Sequence, residues 1–273
     1  MMIQSPTGGY VVGKLVAETD LYRLYLCEQE ATGQQCLLQI AATLAENGAL
    51  DRSAYLLARL LREAEAMEEE YAKVKEDPKK FLNYQLGFPE LVASFVSAEQ
   101  GGRRINILRF RGVEDVHSMV PLYNLVHRDR LRVDLRTSVW IMGKLLKILA
   151  FFHDAGVVVR DLAPGNVLIE PAQRYVVVFN SAKAELMSDG VPPSTVREEI
   201  KAAAQCVIET LGGTMEGGIP DDGSPQHEPY QEHLLQLARE GETNAATAHQ
   251  RFYEQVDRLW PRGFYPFTTL PRR

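Results

Sequence analysis

Between residues 10 and 41, short apolar runs rich in β-branched and aromatic side chains (YVVGKLVA, LYRLYLCE and QCLLQIA) are separated by turn residues. That pattern predicts strands, arranged here as an antiparallel meander. The period then lengthens. Leu57, Leu60, Leu61, Ala64, Met67, Tyr71 and Val74 recur at helical spacing, after the cap candidates Asp51 and Ser53 and before Pro78, so one long amphipathic helix is expected. The next strand-rich stretch, PELVASFVSAEQGGRRINILRFRG, reads as a hairpin turning at Gly101 and Gly102. Beyond Gly112 the pattern becomes mainly helical. This shift divides one bilobal domain into a strand-rich part, residues 1–112, and a helical part, residues 113–273.

In the second part, residues 133–153 form a strongly apolar helix. The runs VVVRDLAPGNVLIEP and RYVVVFN follow as a loop and hairpin, turning near residues 171–174. A helix is expected over residues 198–211, closed by a glycine C-cap at Gly212 and Gly213. GGTMEGGIPDDGSP reads as a flexible loop, and helices over residues 228–240 and 244–260 complete the chain. The fold class is α+β: a small antiparallel sheet with one long helix, then a mainly helical lobe.

Composition narrows the partners. The 273 residues are 45% hydrophobic and 24% charged, which excludes a disordered chain, and no repeat points to a solenoid. A net charge of −6 provides no global cationic field, so neither nucleic acid nor an anionic membrane is expected as a partner. The longest apolar stretch, residues 139–152, is too short to span a bilayer and carries Lys144 and Lys147. The opening MMIQSPTGGY lacks a signal core, so the expected location is cytoplasmic. Cys27, Cys36 and Cys206 form no CxxC and the six histidines show no ligand spacing, which argues against a disulfide framework or a zinc site. Cys27 and Cys36 do flank the EQEATGQQ turn almost symmetrically, close enough in register to face one another.

The segment VVVRDLAPGNVLIEP, after LLKILAFFHDAG, resembles the catalytic loop of the protein kinase superfamily. Asp161 follows Arg160 and Asn166 lies five residues on, the spacing of H-R-D-x-x-x-x-N. In that family the Asp orients the attacking hydroxyl and the Asn holds magnesium. The order of elements extends the resemblance over nearly the whole chain: five strands with one helix, a hinge near residues 108–112, then a helical lobe closing in a helix pair. The resemblance implies a kinase-like bilobal fold.

Other positions depart from the family pattern. The three glycines of the phosphate-gripping loop align with Ala17, Thr19 and Tyr22, where side chains obstruct the close backbone approach that phosphate binding requires. The V-A-I-K lysine aligns with Gln39. Glu63 fits the helix glutamate, but its cationic partner is missing. Asn180, Ser181 and Ala182 stand in place of D-F-G, and an amide oxygen lacks the formal charge that a hard divalent ion prefers. Val159 replaces the loop histidine. The span from Asn180 to Glu199 is short and has no A-P-E, so the peptide-substrate platform is expected to be reduced.

Phosphoryl transfer depends on positioning and electrostatic stabilisation by metal, lysine and loop, and three of those elements are altered. A retained general base at Asp161 does not replace them. The expected function is that of a pseudokinase, a scaffold or allosteric module acting on a protein partner. No cofactor is expected, with ATP and magnesium bound weakly at most. In the plainer reading of the loop, Arg160 and Asp161 are fixed in a hydrogen-bond network and Asn166 satisfies backbone groups. One alternative is an atypical active phosphotransferase using Asp161, Asn166 and Asn180, with Lys14 or Lys183 as the replacement cation. Another is a nucleotide sensor without turnover. Met67 and Tyr71 read as core, the run Glu68, Glu69 and Glu70 as a solvated face, and residues 73–80 as a candidate docking segment.

Overall fold

A computed structural model describes residues 1–272, which divide into two units. The first takes in Met1–Ser118 and Phe179–Ala184; the second takes in Met119–Val178 and the chain from Glu185 onward. The first unit is built on six strands: β1 (Met2–Ser5), β2 (Gly8–Glu18), β3 (Tyr22–Gln29), β4 (Gln35–Ala41), β5 (Glu90–Ser97) and β6 (Arg103–Arg109). They form one antiparallel sheet in the order β1-β2-β3-β4-β6-β5. The expected meander and hairpin are present. β1 is an addition to the five expected strands: it is four residues long and buries only Ile3, too little for an alternating pattern to register.

β4 is buried along nearly its whole length because both faces are covered. Alternate residues of a strand point to opposite faces, so Cys36, Leu38 and Ile40 join Ile3, Tyr10, Cys27, Ile105 and Ile107 in one core cluster. Cys27 and Cys36 are direct cross-strand partners, as their spacing around the turn anticipates. Gln39 points the other way, opposite Asn106 on β6. On that side lies α1 (Asn47–Val74), which packs on β5 and β6.

α1 begins before the expected cap residues Asp51 and Ser53. Asn47 explains the early start: its side chain donates to the Gly102 carbonyl at 2.9 Å and accepts from the Arg104 N–H at 2.7 Å, pinning the first turn to the β5–β6 hairpin. At the other end the chain folds back on the helix. Glu68, expected on a solvated face, accepts the backbone N–H groups of Leu82 and Asn83 at 2.8 and 3.3 Å. Met67 and Tyr71 are partly buried.

The second unit contains β7 (Val120–Pro121), β8 (Leu131–Val133), α2 (Leu135–Asp154), β9 (Val157–Val158), β10 (Val167–Glu170), β11 (Tyr175–Val178), β12 (Glu185–Leu186), α3 (Pro193–Thr210), α4 (His227–Glu240), α5 (Ala245–Leu259) and β13 (Thr269–Pro271). α2 is its core. Asp134 caps its first turn by accepting from Thr137 N, and Ile141, Met142, Leu145, Leu146 and Leu149 are all fully buried. Each such side chain contributes about 1.5–3 kcal/mol by leaving water. α2 packs on α3 and α5, and α3 packs on α4. Gly143 permits the α5 contact, since a Cβ there would clash with the Tyr253 side chain.

α3 starts five residues earlier than expected, at Pro193. Its missing N–H costs nothing in a first helical turn, where that donor has no intrahelical partner. It ends as the glycines predict: Gly212 takes φ 81°, its N–H meets Glu209 O, and Gly213 N–H meets Ile208 O. Among the described residues no helix is long and apolar enough to cross a membrane.

Candidate functional site

The residues singled out from the sequence divide between the units. Arg160, Asp161 and Asn166 belong to the second; Ala17, Thr19, Tyr22, Gln39, Glu63 and Asn180 belong to the first.

In the second unit, β9 pairs with β12 and leads through buried Val159 into the loop that carries Arg160. Arg160 adopts φ 63°, a left-handed conformation that costs a non-glycine residue roughly 1–2 kcal/mol. A buried carboxylate holds it there. Glu199 on α3, only 7% exposed, accepts the Arg160 backbone N–H at 2.8 Å through one oxygen. Its other oxygen lies 2.8 Å from Nε2 of His153, and because a carboxylate only accepts, the imidazole donates. The Arg160 guanidinium reaches outward to Glu185 at 2.7 Å, an exposed pair. Glu199, read from the sequence only as the acidic residue that ends the short span, is thus the anchor of this loop.

Past Arg160 the chain is tightened by its own bonds. Asn166, buried, donates its side-chain amide to the Asp161 carbonyl at 2.6 Å, five positions back, closing a six-residue loop. Its backbone N–H meets Ala163 O, and Pro164 O accepts from Tyr123 N. The Asp161 side chain is partly exposed at the turn so formed. The Asn166 amide nitrogen is committed to the backbone of its own loop.

In the first unit, Thr19 closes the β2–β3 turn. Its hydroxyl accepts from the N–H groups of Leu21 and Tyr22 at 3.2 and 3.1 Å, and its own N–H meets Tyr22 O at 2.9 Å. These backbone donors, the groups a phosphate would need, are spent inside the turn. Tyr22 is buried at the start of β3, Ala17 is paired to Leu24, and an exposed Glu18–Arg23 pair straddles the turn. Lys14 is exposed, where β2 is interrupted by register shifts.

Gln39 is buried, and its side-chain oxygen accepts from Asn106 Nδ2 at 3.5 Å, at the limit of a hydrogen bond. The same nitrogen donates to Leu50 O on α1 at 2.9 Å. A neutral amide pair therefore joins sheet to helix where the resemblance calls for a lysine and a glutamate. Glu63 is half exposed and lies 3.9 Å from Arg59, so the pairing expected at that position is taken by a residue on its own helix. The inward face of α1 carries Ser53 instead, 2.7 Å from Ser181, the middle residue of the triplet at the D-F-G position. Asn180 accepts from Ala182 N through its side-chain oxygen at 3.0 Å, and the Phe179 and Phe110 rings meet tilted at 49° with centroids 6.0 Å apart.

A cavity of about 710 Å³ lies elsewhere in the second unit, between α2, α5 and the segment after α5, with Arg136, Trp140, Arg174, His249, Tyr253 and Tyr265 among its walls. None of residues 160–166 lines it. Burial, together with Lys147 and Lys144, holds the His249 imidazole below its ordinary value. Burial also lowers Lys144, helped by Arg174. A further grouping brings Asp221 and Asp222, in the loop before α4, to His227, the first residue of that helix; a D-D-x4-H spacing carries too little signal to stand out in a sequence. No protein-family model matches the chain, and a comparison with curated proteins finds no match.

Proposed function

We propose that this chain has a kinase-like fold and acts as a pseudokinase, engaging a protein partner without transferring phosphate. The observation that carries the reading is Gln39. It is buried, neutral and bonded to Asn106, so the position that should supply a cation to a nucleotide is occupied by an amide already committed within the unit. Thr19 adds to it by using the turn's N–H groups. Asn180 adds a neutral oxygen that already accepts from Ala182 N.

The test is a thermal-shift titration with ATP, with and without magnesium or manganese. A ligand at 100 times its dissociation constant stabilises the native state by about 2.7 kcal/mol. No metal-dependent shift is expected at millimolar nucleotide. A metal-dependent shift together with phosphate transfer that is lost in Asp161→Ala would overturn the reading. It would favour instead an atypical phosphotransferase, which the closed Asn166–Asp161 loop supports. A metal-independent shift without transfer would favour a nucleotide sensor. Deleting residues 73–80 tests whether that segment contributes to the protein interface.

A further inference from the structure

The loop joining α3 to α4 places three potential metal ligands together: one atom from each of Asp221, Asp222 and His227, all within 4.8 Å of one another. The histidine is the informative member. His227 opens α4, its side chain is only 9% exposed, and its Nδ1 is buried with no hydrogen-bond partner among the described residues. Buried polar atoms are nearly always satisfied, so an orphaned ring nitrogen calls for an explanation. This one faces the carboxylates: Asp221 Oδ1 is 3.9 Å away and Asp222 Oδ1 3.8 Å. Both distances are too long for hydrogen bonds.

They suit a shared ion better. Ligand atoms bound at 2.0–2.2 Å to one tetrahedral zinc lie about 3.3–3.6 Å apart, so the two histidine–carboxylate distances need to close by only a few tenths of an ångström, and the carboxylate oxygens, within 4.8 Å of one another, by at most about 1.5 Å, for all three to reach one cation. Asp221 Oδ1 accepts from Gly223 N at 2.8 Å and Asp222 Oδ1 from Ser224 N at 2.9 Å, which fixes where the carboxylates point. We propose that Asp221, Asp222 and His227 bind one divalent transition-metal ion of the zinc class. An imidazole nitrogen in the set disfavours calcium and magnesium, which prefer oxygen ligands. Three protein ligands leave a fourth position for water, on the side where Asp221 is exposed. The ion would tie the α3–α4 loop to the first turn of α4.

The experiment is equilibrium dialysis of the tag-free, chelator-stripped chain against zinc, magnesium or calcium. In parallel, NMR follows the His227 imidazole, assigned by comparison with His227→Gln. One equivalent of zinc is expected, with a shift of the His227 ring signal and no comparable uptake of the other two ions. Asp221→Asn and Asp222→Asn keep the side-chain oxygens that accept from Gly223 and Ser224, so the loop retains its bonds, and each should weaken zinc binding at least tenfold. Failure of the parent chain to take up zinc would overturn the proposal, as would equal uptake by the doubly substituted chain. Uptake that leaves the His227 signal unmoved would overturn it as well.

Discussion

Replacing Glu199 by alanine should destabilise the second unit by about 2–4 kcal/mol. The substitution removes two hydrogen bonds from a buried carboxylate, to the Arg160 N–H and to His153, both 2.8 Å long. Hydrogen bonds to charged groups are worth about 1.5–3 kcal/mol each. Part of this returns if Arg160 leaves its left-handed conformation and releases roughly 1–2 kcal/mol of strain. Glu199→Gln keeps the acceptor for Arg160 and should cost less. Arg160→Gly should be nearly neutral. The relieved strain is offset by about 0.5–1 kcal/mol of glycine entropy and by loss of the exposed Glu185 pair, worth about 0.2–1 kcal/mol. Urea unfolding followed by tryptophan fluorescence reads this directly, because Trp140 and Trp260, the chain's two tryptophans, both lie in the second unit. A Glu199→Ala chain within about 0.5 kcal/mol of the parent, the range of an ordinary surface change, would refute the assignment of Glu199 as the loop's anchor.

Two further predictions concern the first unit. Burial pushes the Glu90 carboxyl up, but the hydrogen bonds from Arg109 and Arg111 outweigh it and hold the group below its ordinary 4.5. The stability it supplies is therefore present above that value and lost as pH falls through the lower folded one. Glu90→Gln should accordingly be less stable than the parent at neutral pH, with the gap narrowing in acid; a gap that persists unchanged at low pH would show that the charge is not responsible. Burial raises the Cys27 thiol to about 12 and lifts Cys36 and Cys206 as well. In the native chain none should react readily with a thiol reagent, whereas all three should react in denaturant; fast labelling of a native thiol would contradict this.

Much of the architecture is legible in the periodicity, because strands and helices that bury one face advertise it. The β5–β6 hairpin and the glycine stop after α3 follow from local chemistry. Departures arise where distant residues decide. Asp51 and Ser53 look like caps, but Asn47 bonds to β6, fifty-odd positions away, and starts α1 sooner. Glu68 reads as solvated until Leu82 and Asn83 return to it. Around the loop of Asp161 the sequence identifies the spacing of Arg160, Asp161 and Asn166, and the bond between Asn166 and Asp161 O agrees with the expected fixing of that loop. The role of Glu199 is invisible locally, because its partners His153 and Arg160 lie 46 and 39 positions earlier in the chain. Glu63 is a different case: the missing lysine opposite it is already plain at Gln39, and Arg59, its partner in the fold, lies only four positions away on the same helix.

The six residues Phe179–Ala184 are counted with the first unit although the 60 residues before them, Met119–Val178, are not. As the chain leaves the ribosome, the sheet and α1 are complete by Ser118, but Phe110 and Ser53 still lack Phe179 and Ser181. At about 5–20 residues per second, that wait lasts roughly 3–12 s. Throughout it the first unit lacks the residues that Phe110 and Ser53 meet in the finished fold. The last strip that completes it arrives only after α2 and the β10–β11 hairpin have been made.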